Sequence, residues 1–155
     1  MKVVLHQNDV EGLRHVARHM REWDRREIFA RRWSDDPESI VRDVTQAGFP
    51  WWVAYVDGEP VSAIGAMHGT PGAWFPWCFG TEGFAMSALA LTRLARRVIM
   101  PAVRNSGGHR MEVKSIDGHT DAQRWLERSF GARREGTHPR AGKGGETFHT
   151  YGLEL

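Results

Sequence analysis

The stretch "CFGTEGFAMSALALT", residues 78–92, leads from a predicted strand through a glycine corner into a long apolar helix. Apolar residues recur at steps of four and three, which predicts one buried stripe: Phe84, Ala88, Leu91, Ala95, Val98 and Ala102. Pro101 is expected to kink or loosen the last turns of this helix. "HRMEVKSI", residues 109–116, then reads as a strand. Strand, helix and strand in this order form a β-α-β unit, so we expect the two strands to be parallel neighbours.

Before this unit, two β-rich runs flank Asp57-Gly58, which is the strongest hairpin signal in the chain. With a third run at about residues 74–79 they predict an antiparallel meander. The chain before the hairpin predicts a strand over 2–6 and helices over about 9–20 and 36–47. The charged stretch between these two helices favours continued helix. Asp9 is the expected cap of the first helix, and Asp35 or Asp36, followed by Pro37, begins the later one.

After the unit, "DGHTDAQRWLERSFGA", residues 117–132, predicts a short amphipathic helix closed at Gly131, and two further strands lie near 132–137 and 147–153. The element order is β-α-α-β-β-β-α-β-α-β-β. We therefore predict an α/β (α+β) fold in a single domain, residues 1–155. Its sheet should be mixed and mostly antiparallel, with six or seven strands flanked by about four helices.

Composition excludes several classes of protein. With 41% hydrophobic and 26% charged residues, the 155-residue chain has the make-up of a globular protein. No apolar run suits a membrane span and no leader opens the chain, so a cytoplasmic location is expected. The single Cys78 cannot form an internal disulfide, and no Cys/His spacing of the zinc type predicts a metal.

Charge is distributed unevenly along the chain. Residues 1–78 carry nine Lys/Arg against eleven Asp/Glu, whereas residues 79–155 carry twelve against eight. This asymmetry suits an anionic small ligand in the C-terminal half. It falls short of a nucleic-acid footprint, because the basic residues are not clustered with exposed aromatic ones.

The element order and three stretches resemble the GNAT superfamily of N-acetyltransferases. The stretches are "WVAYVDGEPVSAIGA" (residues 52–66), the glycine corner, and "SIDGHTDAQRWLERSFGA" (residues 115–132). The resemblance implies the GNAT fold, acetyl-CoA as cosubstrate, and an amine acceptor that is a small molecule or a protein lysine or N-terminus.

A narrower resemblance starts from "HTDAQRWLERSFGARRE", residues 119–135, and the compact size, which are similar to GNAT-like proteins of short-tailed bacteriophages. Some of those proteins are acetyltransferases and others are internal virion or assembly proteins. The alternative function is therefore that of a catalytically degenerate protein that binds host or virion proteins in the host cytoplasm.

The resemblance also assigns cofactor-binding residues, because the corner stands where the family binds the pyrophosphate of acetyl-CoA. The candidates are Cys78, Phe79, Gly80, Thr81, Gly83 and Phe84, together with His119, Ala122 and Trp125. The corner lacks the family's leading basic residue and adds Glu82, whose carboxylate would repel a pyrophosphate at the helix N-terminus. The alternative is a simple strand-to-helix corner capped by Thr81.

His119 and Ser115 are the candidate catalytic residues. His119 stands where the family has Asn, and it could contact the pantetheine arm or carry a proton near neutral pH, or it could only begin the helix. Ser115 and Cys78 flank the splayed region that holds the acyl group in the family, although a lone cysteine is commonly a small buried hydrophobe. Leu126 occupies the place of a family Tyr that protonates the departing thiolate.

Four charged residues fall in the region that, by resemblance, covers the acceptor side of the site. They are Asp24, Arg25, Glu27 and Arg31. They could select a charged acceptor, or they could form the salt-bridged surface of a helix.

Overall fold

The computed structural model describes residues 1–155 and contains one seven-stranded sheet in the order β1-β2-β3-β4-β5-β7-β6. All neighbouring strands are antiparallel except β4 and β5, which are parallel. This confirms the predicted mixed, mostly antiparallel sheet. The strands are β1 (Val3–Gln7), β2 (Trp52–Val56), β3 (Glu59–His68), β4 (Ala73–Gly80), β5 (Arg110–Ile116), β6 (Arg133–His138) and β7 (Phe148–Glu154).

The helices are α1 (Val10–Arg18), α2 (Glu22–Phe29), α3 (Pro37–Gln46), α4 (Phe84–Leu94), α5 (Met100–Asn105) and α6 (Thr120–Phe130). A π-helical segment, Ala95–Ile99, joins α4 to α5 in one continuous helix, so five helices flank the sheet instead of about four. The additional helix is α2, which is separate from α1; in the connection between them the Arg21 N–H donates to the Gly80 carbonyl, 2.9 Å away. None of the helices combines the length and the apolar character that a membrane crossing requires.

Local signals for turns and caps act as predicted. The Asp9 side chain accepts from the Gly12 N–H and caps α1, and Asp36 accepts from the Glu38 N–H and caps α3. In the β2–β3 hairpin Asp57 and Gly58 both have positive φ, 49° and 88°, as a type I′ turn requires.

Two apolar clusters sandwich the sheet. One packs Leu13 of α1 and Val44 of α3 against Trp51, and the other packs Leu91 of α4 against Trp52. The neighbouring tryptophans point to opposite faces because side chains alternate along an extended chain. Helices α1–α3 therefore cover one face, and α4–α6 cover the other.

The predicted stripe of the long helix is correct only as far as Ala95. Beyond it Ile99 is 2% exposed whereas Val98 is 42% exposed. A π segment has more residues per turn than an α-helix, which moves the buried side from residues 98 and 102 to residues 99 and 103. Pro101, which has no N–H and clashes with the preceding turn, lies two residues after the end of this segment.

Strands β4 and β5 pair over only two residue pairs, Ala73 with Arg110 and Trp74 with Met111. Beyond Trp74 the two strands share no ladder, although each remains paired with its other neighbour. The β-α-β prediction is confirmed, and the sheet has a gap between the C-terminal parts of β4 and β5.

Candidate active site in the gap between strands 4 and 5

A cavity of about 570 Å³ occupies the gap, and mainly apolar side chains line it. Its walls include Ile28 and Val44 from the α1–α3 face and Met111 and Trp125 from the α4–α6 side, so the cavity passes through the sheet. Five predicted site residues line it: Cys78, Phe79, Ser115, Ala122 and Trp125. The other five, Gly80, Thr81, Gly83, Phe84 and His119, lie outside its lining.

Glu27 of α2 is the central acidic residue of the cavity. Its Oε2 atom accepts hydrogen bonds from the Ser115 hydroxyl (3.0 Å), the Ile116 N–H (3.0 Å) and His119 Nδ1 (2.9 Å). All three donors use the same oxygen, and Oε1 has no partner within the chain. With the side chain 19% exposed at the cavity wall, Oε1 is the oxygen free to meet a ligand.

His119 lies behind Glu27 and does not reach the cavity. It is 3% exposed, its ring stacks on Trp23 at 5.6 Å, and its Nε2 lies 3.4 Å from Asp24 Oδ1. Because an ionised carboxylate can only accept, Nδ1 carries the proton that is shared with Glu27. His119 therefore holds the Glu27 carboxylate in place and packs beside that of Asp24.

Asp24 links α2 to the end of β4. Its Oδ2 accepts from the Gly80 N–H and from Arg21 Nε, both at 2.8 Å. Burial raises the pKa of the Asp24 carboxyl, while Arg21, the Gly80 N–H and His119 act in the opposite direction. A buried acid in this position keeps its donors fixed at the edge of the gap.

Hydrogen bonds continue from Ser115 to the far side of the cavity. Gln123 Nε2 donates to the Ser115 hydroxyl (3.2 Å), and Arg134 Nη2 donates to Gln123 Oε1 (3.3 Å) and to Tyr151 Oη (2.9 Å). Tyr151 is 1% exposed and lines the cavity. We call this set the polar chain: Asp24, His119, Glu27, Ser115, Gln123, Arg134 and Tyr151.

At the glycine corner, four N–H groups donate within the chain: Gly80 to Asp24, Thr81 to the Val61 carbonyl, Gly83 to the Thr81 hydroxyl, and Phe84 to the Thr81 carbonyl. The Thr81 hydroxyl stabilises the corner, but the expected N-cap role of Thr81 is wrong, because Gly83 is the N-cap of α4 and no side chain caps this helix. Gly80 is needed for packing, because a Cβ there would lie 2.8 Å from the Val61 carbonyl oxygen and 2.6 Å from Phe84 Cδ2.

Cys78 lines the cavity as a thiol. Burial raises its pKa well above the ordinary value, and the charge of Asp24 adds to this shift. A thiol is a weak nucleophile, so Cys78 contributes shape and backbone.

No group of three or more His, Cys, Asp and Glu residues is arranged to hold a metal ion.

The four charged residues expected near the acceptor side have different roles. Asp24 and Glu27 belong to the polar chain, while Arg25 pairs with Glu22 on the surface at 3.6 Å. Arg31 lines the cavity.

Sequence reasoning missed Gln123, Arg134 and Tyr151 and gave Glu27 no catalytic role. The three-residue spacing of Asp24 and Glu27, which places both on one helix face, was the available signal. Their partner His119 is 92 residues from Glu27, a contact that only the fold creates.

Solved N-acetyltransferases share this fold over the whole chain. An Ard1 protein from Thermoplasma volcanium aligns with a TM-score of 0.73 and 12% identity, covering 100% of this chain and 99% of that one. The ribosomal-protein-S18-alanine N-acetyltransferase from Escherichia coli aligns with a TM-score of 0.70 and 9% identity, covering 99% and 94%. A protein of the GNAT family from Desulfovibrio desulfuricans aligns with a TM-score of 0.70 and 17% identity, covering 99% of each chain.

The chain therefore has the GNAT fold, as the resemblance implied. No protein-family model matches the sequence, and no curated protein matches it significantly. At identities this low, the structural alignments establish the shared architecture alone. The chemistry of the site must therefore be argued from this chain's own residues.

Proposed function

We propose that the protein is an acetyl-CoA-dependent N-acetyltransferase that acts on an amine. The observation that carries the proposal is Glu27, whose Oε2 is fixed by three donors while Oε1 remains free at a cavity through a GNAT-fold sheet. A fixed carboxylate with one open oxygen can take a proton from an attacking amine.

The gap and the corner differ in how well they fit acetyl-CoA. The apolar cavity and the unpaired edges of β4 and β5 fit the acyl end and its pantetheine arm. The corner offers a pyrophosphate none of the N–H groups of residues 80, 81, 83 and 84. When bound, acetyl-CoA would supply the acetyl group as a thioester, whose C–S bond breaks as the new C–N bond forms.

The Cys78 N–H is the donor in β4 that suits the thioester carbonyl. The Gly80 N–H faces the gap, since it donates to Asp24 of α2. N–H groups of a strand alternate between its two edges, so the Cys78 N–H faces the gap as well, and Pro76 has none. A backbone donor aimed at the carbonyl oxygen stabilises the negative charge that develops there during attack.

Tyr151 is the proton donor for the departing sulfur in this proposal. Arg134 donates to its Oη, and the hydroxyl proton of Tyr151 has no acceptor within the chain. Tyr151 stands opposite Val113 of β5 and shares its face of the sheet. Leu126, which also lines the cavity, cannot donate a proton.

His119 and Ser115, predicted as catalytic, act in this proposal through Glu27. Each donates a hydrogen bond to Oε2 and so orients Oε1. Ser115 also contacts the cavity, whereas His119 does not. We assign both as positioning residues and Glu27 as the base.

Calorimetric titration with acetyl-CoA, followed by an acetylation assay, tests the proposal. We expect saturable binding, and Glu27→Gln should lower kcat about 10²-fold or more while acetyl-CoA affinity stays unchanged. The exposed Glu22→Gln is the matched control and should behave as the unsubstituted protein. No binding up to millimolar acetyl-CoA would remove the proposal.

The second candidate is a non-catalytic protein that binds host or virion proteins. What favours it is the corner, where the N–H groups of residues 80, 81, 83 and 84 are already engaged and Glu82 adds negative charge. A specific partner recovered from host or infected cells, together with no acetyl-CoA binding, would support this function. Acetylation without any specific partner would exclude it.

A further inference from the structure

Six charged side chains line the cavity: Glu27, Arg31, Arg32, Asp43, Glu112 and Lys114. Three of them have partners that neutralise them. Arg32 pairs with Asp43 at 2.6 Å, and Glu112 pairs with Arg110 at 3.3 Å. The side chains of Arg31 and Lys114 form neither an ion pair nor a hydrogen bond within the chain. The cavity lining therefore includes two exposed cations, Arg31 and Lys114, that have no direct ion-pair or hydrogen-bond partner in the chain.

Arg31 lies one helical turn after Glu27. Its N–H donates to the Ile28 carbonyl (3.3 Å), so the helical turn continues past the end of α2. Residues four apart on a helix have Cβ atoms about 5–6 Å from each other, which brings the guanidinium and the carboxylate to one side. Desolvation lowers the pKa of Arg31, whereas the charges of Glu27 and Glu112 raise it.

Lys114 faces the same side of the gap as Arg31. It alternates along β5 with Ser115 and shares a face with Ile116, which packs on Ala30 and Phe148. The Arg31 guanidinium lies 5.6 Å from the Phe148 ring on that face. Both unpaired cations therefore stand on the α2 side, opposite Gln123 and Tyr151.

We infer that the acceptor is a small zwitterion, an α-amino acid or a close analogue. Arg31 binds its carboxylate, with Lys114 adding attraction, and Glu27 Oε1 receives its amine. This inference rests on the proposed function and names its acceptor class. A guanidinium fork matches a carboxylate in a bidentate geometry, and the four-residue spacing of Glu27 and Arg31 suits a ligand that carries its amine and its carboxylate on one carbon.

The walls next to these charges are apolar. Ile28, Trp77 and Phe79 line the same cavity, and Phe79 stacks with Trp77 at 5.5 Å. Such walls suit an apolar or aromatic side chain on the amino acid. L-Phenylalanine is therefore the probe of choice, and phenethylamine is its decarboxylated match.

The experiment compares kcat/KM for L-phenylalanine, L-phenylalanine amide and phenethylamine. We expect the unsubstituted protein to prefer L-phenylalanine about 10- to 100-fold, the range of one charged hydrogen-bond pair. Arg31→Gln should abolish this preference by raising KM for L-phenylalanine, with acetyl-CoA affinity unchanged. Arg25→Gln is the control and should keep the preference, because Arg25 lies in α2 and pairs with Glu22 on the surface.

Titration of L-phenylalanine into the acetyl-CoA-saturated protein gives a readout that does not depend on turnover. Equal use or equal binding of phenethylamine, or selectivity retained in Arg31→Gln, would overturn the inference and leave the N-acetyltransferase proposal intact. Faster acetylation of peptide N-termini than of L-phenylalanine, or no binding of L-phenylalanine at millimolar concentration, would overturn it too. Failure to bind acetyl-CoA would instead remove the proposed function.

Discussion

At Tyr151 the function of one hydroxyl can be separated from the packing of its ring. The ring is buried beneath the cavity, while Oη is held by Arg134. Tyr151→Phe should lower kcat about 10²-fold, because the departing thiolate loses its proton donor. KM for the amine and the affinity for acetyl-CoA should change little. Steady-state kinetics with calorimetry measures both.

Tyr55→Phe serves as the control, since the Tyr55 hydroxyl donates to Asp9 at the start of α1, outside the cavity. It should retain full kcat. A Tyr151→Phe protein with undiminished kcat would assign thiolate protonation to water.

Individual site residues differ in how far the sequence could identify them. Cys78 and Ser115 lie at the ends of two predicted strands, and the family resemblance placed them beside the region that holds the acyl group. Both line the cavity. Tyr151 and Arg134 could not be found in this way. They acquire their roles from the register of β7 with β5 and from a contact with α6, neither of which leaves a local pattern.

Among the elements, the π segment of the long helix determines whether Val98 or Ile99 is buried. An unbroken α-helix would give the opposite order of mutational effects. Ile99→Ala should cost about 2–5 kcal/mol of unfolding free energy, because it leaves a cavity in the core. Val98→Ala should change stability by about 0.5 kcal/mol or less, since Val98 is exposed. Urea unfolding of both variants measures the difference. A larger loss for Val98→Ala would contradict the shifted stripe.

The same helix shows why some elements are predictable and others are not. The hairpin at Asp57-Gly58 and the caps at Asp9 and Asp36 depend on a few neighbouring residues, so local chemistry decides them. The π segment has no such local signal: it lies shortly before Pro101, and Ile99 is buried in the core where an unbroken helix would bury Val98. A strict 3.6-residue periodicity therefore predicted Val98, and not Ile99, as the buried residue.

For the whole molecule, Asp24 makes a pH-dependent contribution to stability. Its pKa is raised above the unfolded value of about 3.9, so the folded state holds this proton more tightly. The resulting stabilisation is fully present below that unfolded value and is lost as pH rises through the raised folded pKa. Asp24→Asn removes this titration. With rising pH, the unfolding free energy of the unsubstituted protein should therefore fall relative to that of the variant.

Urea unfolding of both proteins from pH 3.5 to 8 checks this expectation, with about 1.4 kcal/mol expected for each unit of pKa difference. Glu38 and Glu135, whose pKa values are lowered by arginines, act in the opposite direction in both proteins and cancel in the comparison. The exposed Asp121→Asn is the control and should show no such slope. A difference independent of pH would contradict the raised pKa.

The contact of β4 with β5 over two residue pairs divides the sheet into two halves, β1–β4 and β5–β7, which are joined only near Trp74 and Met111. At the open end, α2 connects the two halves: Asp24 accepts a hydrogen bond from the Gly80 N–H of β4, and Glu27 accepts one from the Ile116 N–H of β5. The width of the gap between β4 and β5 thus depends on the lengths of the Asp24 and Glu27 side chains as well as on the strands. Asp24→Glu, which lengthens one contact, or Glu27→Asp, which shortens the other, would change the width of the gap while leaving both halves of the sheet intact.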